Sequence, residues 1–211
     1  MTRKIYVDFD RTIFNTEKWY SILQTEAINA GLNKDILDNA LLHEEKKDTF
    51  DFFSAVNEAL VQCQIRNNEI LYLTKRAGFS AGRSCVYNDV IPCLHYFRKK
   101  GLNVILLTYG NVEFQHFKIS STGILSVFSS IIITDKHKWT IDLGPSPFVV
   151  LDDNPRELEA FRESRPSCML WEIKRKGSKY EHTRYENVDY SSNELNIDIA
   201  AQLVDRINSL C

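Results

Sequence analysis

The sequence predicts an α/β protein with a doubly wound parallel sheet. Short apolar runs recur along the chain, and helical patterns separate most of them. Such alternation favours parallel strands joined by right-handed crossovers. Four of the runs end in polar residues, and in open parallel sheets the carboxyl ends of the strands form the ligand-binding edge. A long helical block interrupts the alternation after the first strand.

The first predicted strand, Ile5-Tyr6-Val7, leads directly into Asp8 and Asp10. Because side chains alternate along a strand, these two carboxylates point the same way. Like charges this close repel each other unless a cation lies between them. The pair therefore suits a hard divalent ion such as Mg2+, and one aspartate remains able to act as a nucleophile. An Asp-rich turn after an edge strand would fit the same residues.

The helical block covers residues 16–85 and shows no strand alternation. Apolar spacing predicts helices over 16–30, from Asn33, from Asp48 or Thr49, and from Asn68 to about Gly78. The block is too long for one crossover helix, so we expect a separate α-helical unit. Residues 1–15 and 86–211 then form the core. Helices packed rigidly on the sheet are the alternative interpretation.

The rest of the core alternates between helices and strands. Helices are expected over 90–100 and 112–122, from Pro155 to about Glu163, and around Ile199 to Ile207; strands are expected over 103–107, 131–134, 147–151 and 168–171. The basic run from Lys174 to Lys179 is interpreted as a solvated loop.

Residues suited to phosphate chemistry follow three of these strands. Thr108-Tyr109-Gly110 supplies a hydroxyl and backbone N–H groups where a strand gives way to a helix, which makes an oxyanion cradle. Lys136 or Lys138 could neutralise phosphate charge. Asp152-Asp153 forms a second acidic pair. Acid pair, hydroxyl, lysine and acid pair are together the groups that phosphoryl transfer needs.

This ordered set resembles the haloacid dehalogenase (HAD) superfamily, and within it the magnesium-dependent phosphatases. The resemblance covers residues 1–15 and 86–172 and is carried by Asp8, Asp10, Thr12, Thr108, Lys138 (or Lys136), Asp152 and Asp153. It implies a Rossmann-like core with an α-helical cap inserted at residues 16–85. Arg11 stands where many members carry glycine, and an arginine there is expected to avoid strained backbone angles.

The resemblance also implies a role for each acidic residue. Asp8 would be the nucleophile that forms a phosphoaspartyl intermediate, and Asp10 would act first as general acid and then as general base. Asp8, the backbone carbonyl of Asp10, and Asp153 would hold Mg2+, while Asp152 would orient a bound water or Lys138.

Phosphate binding is assigned to the second and third motifs. Thr108 Oγ and the N–H groups of Tyr109 and Gly110 would bind the phosphoryl oxygens, and Lys138 would neutralise charge on the phosphate and the nucleophile. Lys138 is preferred to Lys136 because the segment after it resembles that of some compact family members. Thr12 is expected to steady the loop through a side-chain hydrogen bond.

We therefore expect a Mg2+-dependent phosphatase that acts on a small phosphomonoester. A phosphomutase or other phosphotransferase on the same scaffold is one alternative, and a catalytically silent HAD-fold binding protein is another. A dehalogenase is disfavoured because halide displacement needs neither Asp10 nor the second acidic pair. The sequence identifies neither the substrate nor the oligomeric state.

Composition narrows the class of protein further. The chain has 211 residues, 44% of them hydrophobic and 26% charged, which is ordinary for a globular protein. A net charge of −2 gives no reason to expect nucleic acid or an anionic membrane as partner. The five cysteines are scattered, which argues against a disulfide framework or a zinc site. No apolar run has the length of a membrane span, and we expect a cytoplasmic protein.

Overall fold

The structure is a computed structural model that describes residues 3–66, 68–145, 147–183 and 185–210. It divides into two compact units. The sheet unit comprises Met1–Asn15, Val86–Tyr109 and Ser126–Cys211, and the helical unit comprises Thr16–Cys85 and Gly110–Leu125.

The sheet unit contains a parallel six-stranded sheet in the order β3-β2-β1-β4-β5-β6. Its strands are β1 (Lys4–Val7), β2 (Asn103–Tyr109), β3 (Ser130–Thr134), β4 (Val149–Asp152), β5 (Met169–Ile173) and β6 (Tyr190–Ser192). The predicted α/β class and parallel sheet are confirmed. The sequence analysis missed β6, because three residues are too few to show an alternating pattern.

The described part of the sheet unit contains the α-helices α5 (Val90–Lys99), α7 (Pro155–Ser164) and α8 (Ile197–Ser209). Asn154 caps α7, since its side chain accepts a hydrogen bond from the Arg156 N–H at 3.1 Å. Part of the apolar core lies between this helix and the sheet, where Phe161 packs with Tyr6 and Phe148. The Tyr6 and Phe148 rings meet edge to face, with their centroids 5.2 Å apart.

The helical unit contains α1 (Thr16–Asn29), α2 (Lys34–Glu44), α3 (Phe52–Gln62), α4 (Glu69–Ala81) and α6 (Val112–Thr122). Two of the predicted boundaries differ from the structure. Helix α3 starts after Asp51, whose side chain accepts a hydrogen bond from the Phe53 N–H, and not at Asp48 or Thr49. Helix α4 continues through Gly78 to Ala81, because Gly78 is a close-packing position inside the helix.

Aromatic side chains form much of the interior of the helical unit. Trp19 is fully buried, and its indole N–H donates to the Gly78 carbonyl at 2.8 Å. The Trp19 ring lies 5.8 Å from that of Phe114, which also packs against Phe53 at 5.4 Å. Phe114 belongs to α6, so residues 110–125 pack with the helical block, although the sequence analysis placed them with the core. The role of this unit as a cap stays a prediction.

The basic run after β5 is only partly solvated. Lys176 and Lys179 are exposed, but Arg175 between them and the strand is 4% exposed. The prediction that the whole run is a solvated loop was therefore wrong at Arg175. The residues that bury Arg175 are distant in sequence, so no local pattern indicates its burial.

None of the helices in the described part of the chain has both the length and the apolar character that a bilayer crossing requires. The described cysteines Cys63, Cys85, Cys93 and Cys168 are free thiols, and Cys211 lies outside the described residues.

The close approach of α6 to the end of α4 predicts that Gly82 tolerates no larger residue. A Cβ at position 82 would lie 2.0 Å from Ser121 Oγ and 2.6 Å from the Ser121 carbonyl carbon, which is backbone. Gly82→Ala should lower the free energy of unfolding by about 1–3 kcal/mol, measured by urea denaturation.

Gly78→Ala is the matched control in the same unit. The atoms nearest to a Cβ at position 78 would belong to side chains and not to backbone, namely the end of Leu23 at 2.6 Å and the Trp19 ring at 3.1 Å. Alanine is also favoured over glycine within a helix by up to about 1 kcal/mol. Gly78→Ala should therefore destabilise the protein less than Gly82→Ala. The reverse order of stabilities would contradict this packing.

Asp189 provides a pH-dependent contribution to the stability of the sheet unit. It accepts hydrogen bonds from Arg162 at 2.6 Å, from the Leu170 N–H at 2.9 Å and from Arg206 at 2.7 Å. Burial alone would raise the pKa of Asp189, but the Leu170 hydrogen bond and the two arginines outweigh it and lower the pKa.

A carboxyl whose folded pKa is lowered stabilises the fold above its unfolded pKa of about 3.9, and this contribution is lost as the pH falls through the folded pKa. Asp189→Asn should therefore reduce the free energy of unfolding at pH 7 by about 1–3 kcal/mol. The difference between wild type and variant should shrink below pH ~4. An equal difference at pH 7 and pH 3, followed by urea denaturation, would contradict the assignment.

Candidate active site

The parallel register of β1 and β4 brings two aspartates to the same edge of the sheet. Val7 pairs with Leu151, and the Asp8 N–H donates to the Leu151 carbonyl at 2.9 Å. Asp8 and Asp152 therefore leave their strands side by side. Both side chains are buried, since Asp8 is 6% and Asp152 is 1% exposed.

Asp8, Asp152 and Asp153 form a carboxylate cluster in which one oxygen from each residue lies within 4.8 Å of the others. The oxygens of Asp152 have protein partners: Oδ1 accepts from the Asn154 N–H at 2.9 Å and Oδ2 accepts from Lys138. Asp153 Oδ2 is buried and has no hydrogen-bond partner among the described residues. A buried carboxylate oxygen without a partner is unfavourable unless a cation or another donor approaches it.

Lys138 contributes an ammonium group beside this carboxylate cluster. It begins a short 3₁₀ helix, Lys138–Thr140, and is 4% exposed. Its Nζ donates to Asp8 Oδ1 at 2.9 Å and also to Asp152. Lys136, the other lysine that the sequence allowed here, is exposed. The structure therefore brings Lys138 against the two aspartates, while its part in catalysis stays a prediction.

The cluster carries more negative charge than its lysine balances. Burial raises the pKa of Asp8 to about 7; Asp152 and Asp10 act in the same direction, and Lys138 opposes them. Burial, and then the charges of Asp8 and Asp152, raise the pKa of Asp153 well above its usual range. Burial alone would lower the pKa of Lys138, but Asp152 and Asp8 raise it well above the ordinary value. A further cation is the natural complement to such a group.

The loop after Asp8 folds into a tight turn that contains Asp10. The Phe9 carbonyl accepts hydrogen bonds from the N–H groups of Ile13 and Phe14, each at 3.1 Å. Arg11 lies at φ 62°, in the left-handed region, where a non-glycine residue costs about 1–2 kcal/mol. The expectation that Arg11 avoids strained angles was wrong. The turn requires this conformation, which explains why glycine suits the position.

The Arg11 side chain acts on the carboxylate cluster, and the Thr12 side chain does not make the hydrogen bond that the sequence suggested. Burial and the charges of Asp8 and Asp152 raise the pKa of Asp153, and the positive charge of Arg11 opposes this rise, so Arg11 acts electrostatically on the cluster. Thr12 is fully buried, but its Oγ1 has no hydrogen-bond partner among the described residues. The expected side-chain hydrogen bond of Thr12 is therefore wrong. The backbone carbonyl of Thr12 instead accepts two hydrogen bonds from Arg175.

The second motif lies at the end of β2, which pairs with β1. Thr108 is buried and Tyr109 is half-buried, and both belong to the strand, which extends further than the predicted 103–107. Gly110 follows at φ 147°, where a Cβ would approach the Gln115 side chain at 2.9 Å. This conformation requires glycine. Binding of phosphate by Thr108, Tyr109 and Gly110 stays a prediction.

Glu157 and His137 are further polar residues beside the cluster. Glu157, in the first turn of α7, is 7% exposed, and its Oε1 lies 3.1 Å from His137 Nδ1. The charge of Glu157 contributes to the raised pKa of Lys138. The sequence analysis missed Glu157, although an acidic residue three positions after an Asn cap is a recognisable helix-start pattern. The His137 ring stacks on Tyr109, with centroids 5.6 Å apart.

Sequence comparison finds a partial similarity. No protein-family model matches the chain. The enolase-phosphatase E1 of Bradyrhizobium sp. (strain BTAi1 / ATCC BAA-1182) is 34% identical over 100 residues, which is 40% of this chain and 44% of that protein. The chain thus matches less than half the length of this curated relative.

Structural similarity extends over nearly the whole chain. A proposed haloacid dehalogenase-like hydrolase of Burkholderia xenovorans LB400 superimposes with a TM-score of 0.77 at 16% identity, covering 99% of this chain and 98% of that one. A HAD phosphatase of Thermococcus onnurineus matches with a TM-score of 0.63 at 19% identity, over 96% and 98% of the chains.

The L-2-haloacid dehalogenase of Xanthobacter autotrophicus, solved with chloropropionic acid covalently bound, matches with a TM-score of 0.57 at 14% identity, over 96% and 98% of the chains. Phosphatases and dehalogenases thus share this architecture. With six parallel strands and acidic residues at the ends of β1 and β4, the chain has the fold of the haloacid dehalogenase-like hydrolases.

Proposed function

We propose that this protein is a Mg2+-dependent phosphatase that hydrolyses a small phosphomonoester through a phosphoaspartyl intermediate on Asp8. The observation that carries the proposal is the buried carboxylate cluster, in which Lys138 contacts Asp8 and Asp152 while Asp153 Oδ2 has no described partner. The carboxylate oxygens of such a site suit a divalent cation, and its ammonium group suits an anionic substrate.

The donor set fits Mg2+. Every ligand atom that the cluster offers is a carboxylate oxygen, which hard divalent cations prefer. Because Asp152 already accepts from Lys138 and from the Asn154 N–H, it is better suited to orienting Lys138 than to direct coordination. Asp8, Asp153 and the backbone carbonyl of Asp10 would hold the ion. When bound, Mg2+ would offset the charge of the cluster and of the phosphate.

In the proposed mechanism Asp8 acts as the nucleophile. Its carboxylate attacks phosphorus, the bond from phosphorus to the leaving-group oxygen breaks, and Asp10 donates a proton to that oxygen. The ionised Asp10 then takes a proton from water, which attacks the phosphorus of the aspartyl phosphate. The bond between phosphorus and the Asp8 oxygen breaks, inorganic phosphate leaves, and the Asp8 carboxylate and protonated Asp10 are restored. Lys138, at 2.9 Å from Asp8 Oδ1, holds the nucleophile and reduces repulsion of the incoming dianion.

The edge of β2 is the proposed site for the phosphoryl oxygens. Thr108 Oγ and the N–H groups of Tyr109 and Gly110 would donate to oxygens whose charge grows in the transition state. The helical unit is proposed to serve as a cap, supported by its insertion at Thr16, directly after the loop that carries Asp10. Transfer to an acceptor hydroxyl would use the same residues, with the acceptor in place of water.

The nucleophile assignment predicts that Asp8→Asn abolishes phosphate release. Measured with p-nitrophenyl phosphate and Mg2+, kcat should fall at least about 10³-fold, because the amide cannot form the acyl phosphate. EDTA should abolish the wild-type rate.

A matched control and a competing reaction complete this test. Asp142→Asn removes an exposed carboxylate outside the cluster and should leave the rate unchanged. Metal-independent chloride release from 2-chloropropionate, abolished in Asp8→Asn, would instead identify a dehalogenase. Metal-dependent phosphate release at equal rates in wild type and Asp8→Asn would contradict the mechanism.

The charge imbalance predicts opposite effects of Asp153→Asn with and without metal. In EDTA the variant should melt at a higher temperature than wild type, because one of three mutually repelling buried carboxylates is gone. Saturating Mg2+ at about 100 Kd should stabilise wild type by about 2.7 kcal/mol and the variant much less. Thermal unfolding followed by circular dichroism measures both effects.

Asp205→Asn, an exposed carboxylate on α8, is the control and should alter neither melting temperature nor Mg2+ response. An Asp153→Asn variant that gains as much from Mg2+ as wild type would place the ion elsewhere.

A further inference from the structure

Arg175 is a buried cation that the proposed mechanism does not use. It lies beyond the end of β5 and is 4% exposed, whereas its neighbours Lys176 and Gly177 are exposed. A guanidinium group is almost never buried without partners, because the loss of hydration must be replaced by hydrogen bonds and opposite charge. The residues that Arg175 contacts therefore indicate which part of the structure it stabilises.

The principal contact of Arg175 is with the loop that follows Asp8. Nε and Nη2 both donate to the backbone carbonyl of Thr12, at 3.1 and 2.9 Å. A forked pair of donors on one carbonyl oxygen fixes both its position and its direction. Thr12 is two residues beyond Asp10, within the tight turn of residues 9–14.

The remaining contacts hold Arg175 itself in place. Nη1 donates to Asp89 Oδ2 at 2.8 Å and to the Asn193 carbonyl at 3.4 Å. The guanidinium carbon lies 4.1 Å from the centroid of the Tyr87 ring. Asp89 Oδ2 also accepts from the Leu195 N–H, which connects the start of α5 to the segment before α8. Asp89, Asn193 and Tyr87 thus hold the guanidinium group in place while its Nε and Nη2 bind the loop.

The loop has a conformation that needs such an anchor. Arg11 lies at φ 62°, and the expected Thr12 hydroxyl contact is not made. Strained backbone at non-glycine residues persists where surrounding contacts determine it. The two hydrogen bonds from Arg175 to the Thr12 carbonyl come from outside the loop. They hold the backbone directly after the strained residue Arg11, two positions from Asp10.

We propose that Arg175 is a positioning residue that sets the orientation of Asp10 by clamping the Thr12 carbonyl. The proposal rests on the proposed function for its kinetic consequence, but the clamp itself is a property of the loop. A general acid gains its rate advantage only when it is aligned with the leaving-group oxygen. Loosening the clamp should therefore impair proton donation more than it impairs binding of substrate.

Arg175→Lys and Arg162→Lys form the test pair. Lysine retains the charge but cannot make the planar fork on one carbonyl oxygen. Arg162 is a comparable arginine whose hydrogen-bond acceptors are the carbonyls of Pro166, Cys168 and Asn187 and the carboxylate of Asp189. Loss of general stability should therefore affect both variants, whereas loss of the clamp affects Arg175→Lys alone.

The first readout is amide hydrogen exchange of the peptide that contains residues 9–14, which does not depend on catalysis. Arg175→Lys should exchange there about tenfold faster than Arg162→Lys, because local opening becomes easier. Equal exchange in the two variants would overturn the clamp.

The second readout compares two substrates with different leaving groups. Phenyl phosphate depends on protonation of the leaving group more than p-nitrophenyl phosphate does. In Arg175→Lys, kcat should fall about tenfold further on phenyl phosphate than on p-nitrophenyl phosphate, with KM nearly unchanged, because misalignment weakens general-acid catalysis. Arg162→Lys should slow both substrates equally.

The outcomes separate the two claims. Faster exchange together with the leaving-group effect supports Arg175 as a positioning residue. Faster exchange with equal kinetic losses on both substrates would overturn the link to Asp10. Faster exchange in Arg175→Lys, with no turnover of either ester by wild type and Mg2+, would count against the proposed function while the clamp on the loop is supported.

Discussion

A buried excess of negative charge is the constraint on which the rest of the sheet unit depends. Asp8, Asp152 and Asp153 meet at the ends of β1 and β4, and the ammonium group of Lys138 contacts Asp8 and Asp152. Buried like charges this close are unfavourable without compensation. The raised pKa values of the aspartates follow from this arrangement, and so does the fit of a divalent cation. The polar side chains at the ends of β1 and β4 are thus organised around a group of buried carboxylates, on which the charges of Lys138 and Arg11 both act.

The backbone around the cluster is held in place by contacts from several parts of the chain. The Asn154 N–H fixes Asp152 from the start of α7, the Leu151 carbonyl fixes the Asp8 N–H, and Arg175 fixes the Thr12 carbonyl. These contacts come from segments far apart in sequence. The geometry of the cluster therefore depends on the register between β1 and β4.

The sequence predicted the parts of the structure that depend on local pattern. Apolar runs ending in Asp8 and Asp152 located the strand ends, because burial on both faces gives parallel strands a continuous apolar signature. Tertiary features were not predictable in this way. The short strand β6 has no period, the left-handed angle of Arg11 reflects the turn and not its side chain, and nothing in the basic run distinguishes Arg175. The sequence favoured Lys138 over Lys136 only through resemblance, and the fold distinguishes the two lysines physically, because it buries Lys138 and exposes Lys136.

A crystal structure with Mn2+ in place of Mg2+ and with beryllium fluoride as an aspartyl-phosphate mimic would test whether the carboxylate cluster holds a metal beside a nucleophilic Asp8. We expect an anomalous peak for the metal between Asp8 and Asp153, and beryllium fluoride attached to the Asp8 carboxylate. Lys138 should remain in contact with Asp152. A metal peak away from Asp153, or beryllium fluoride attached to another residue, would contradict the account.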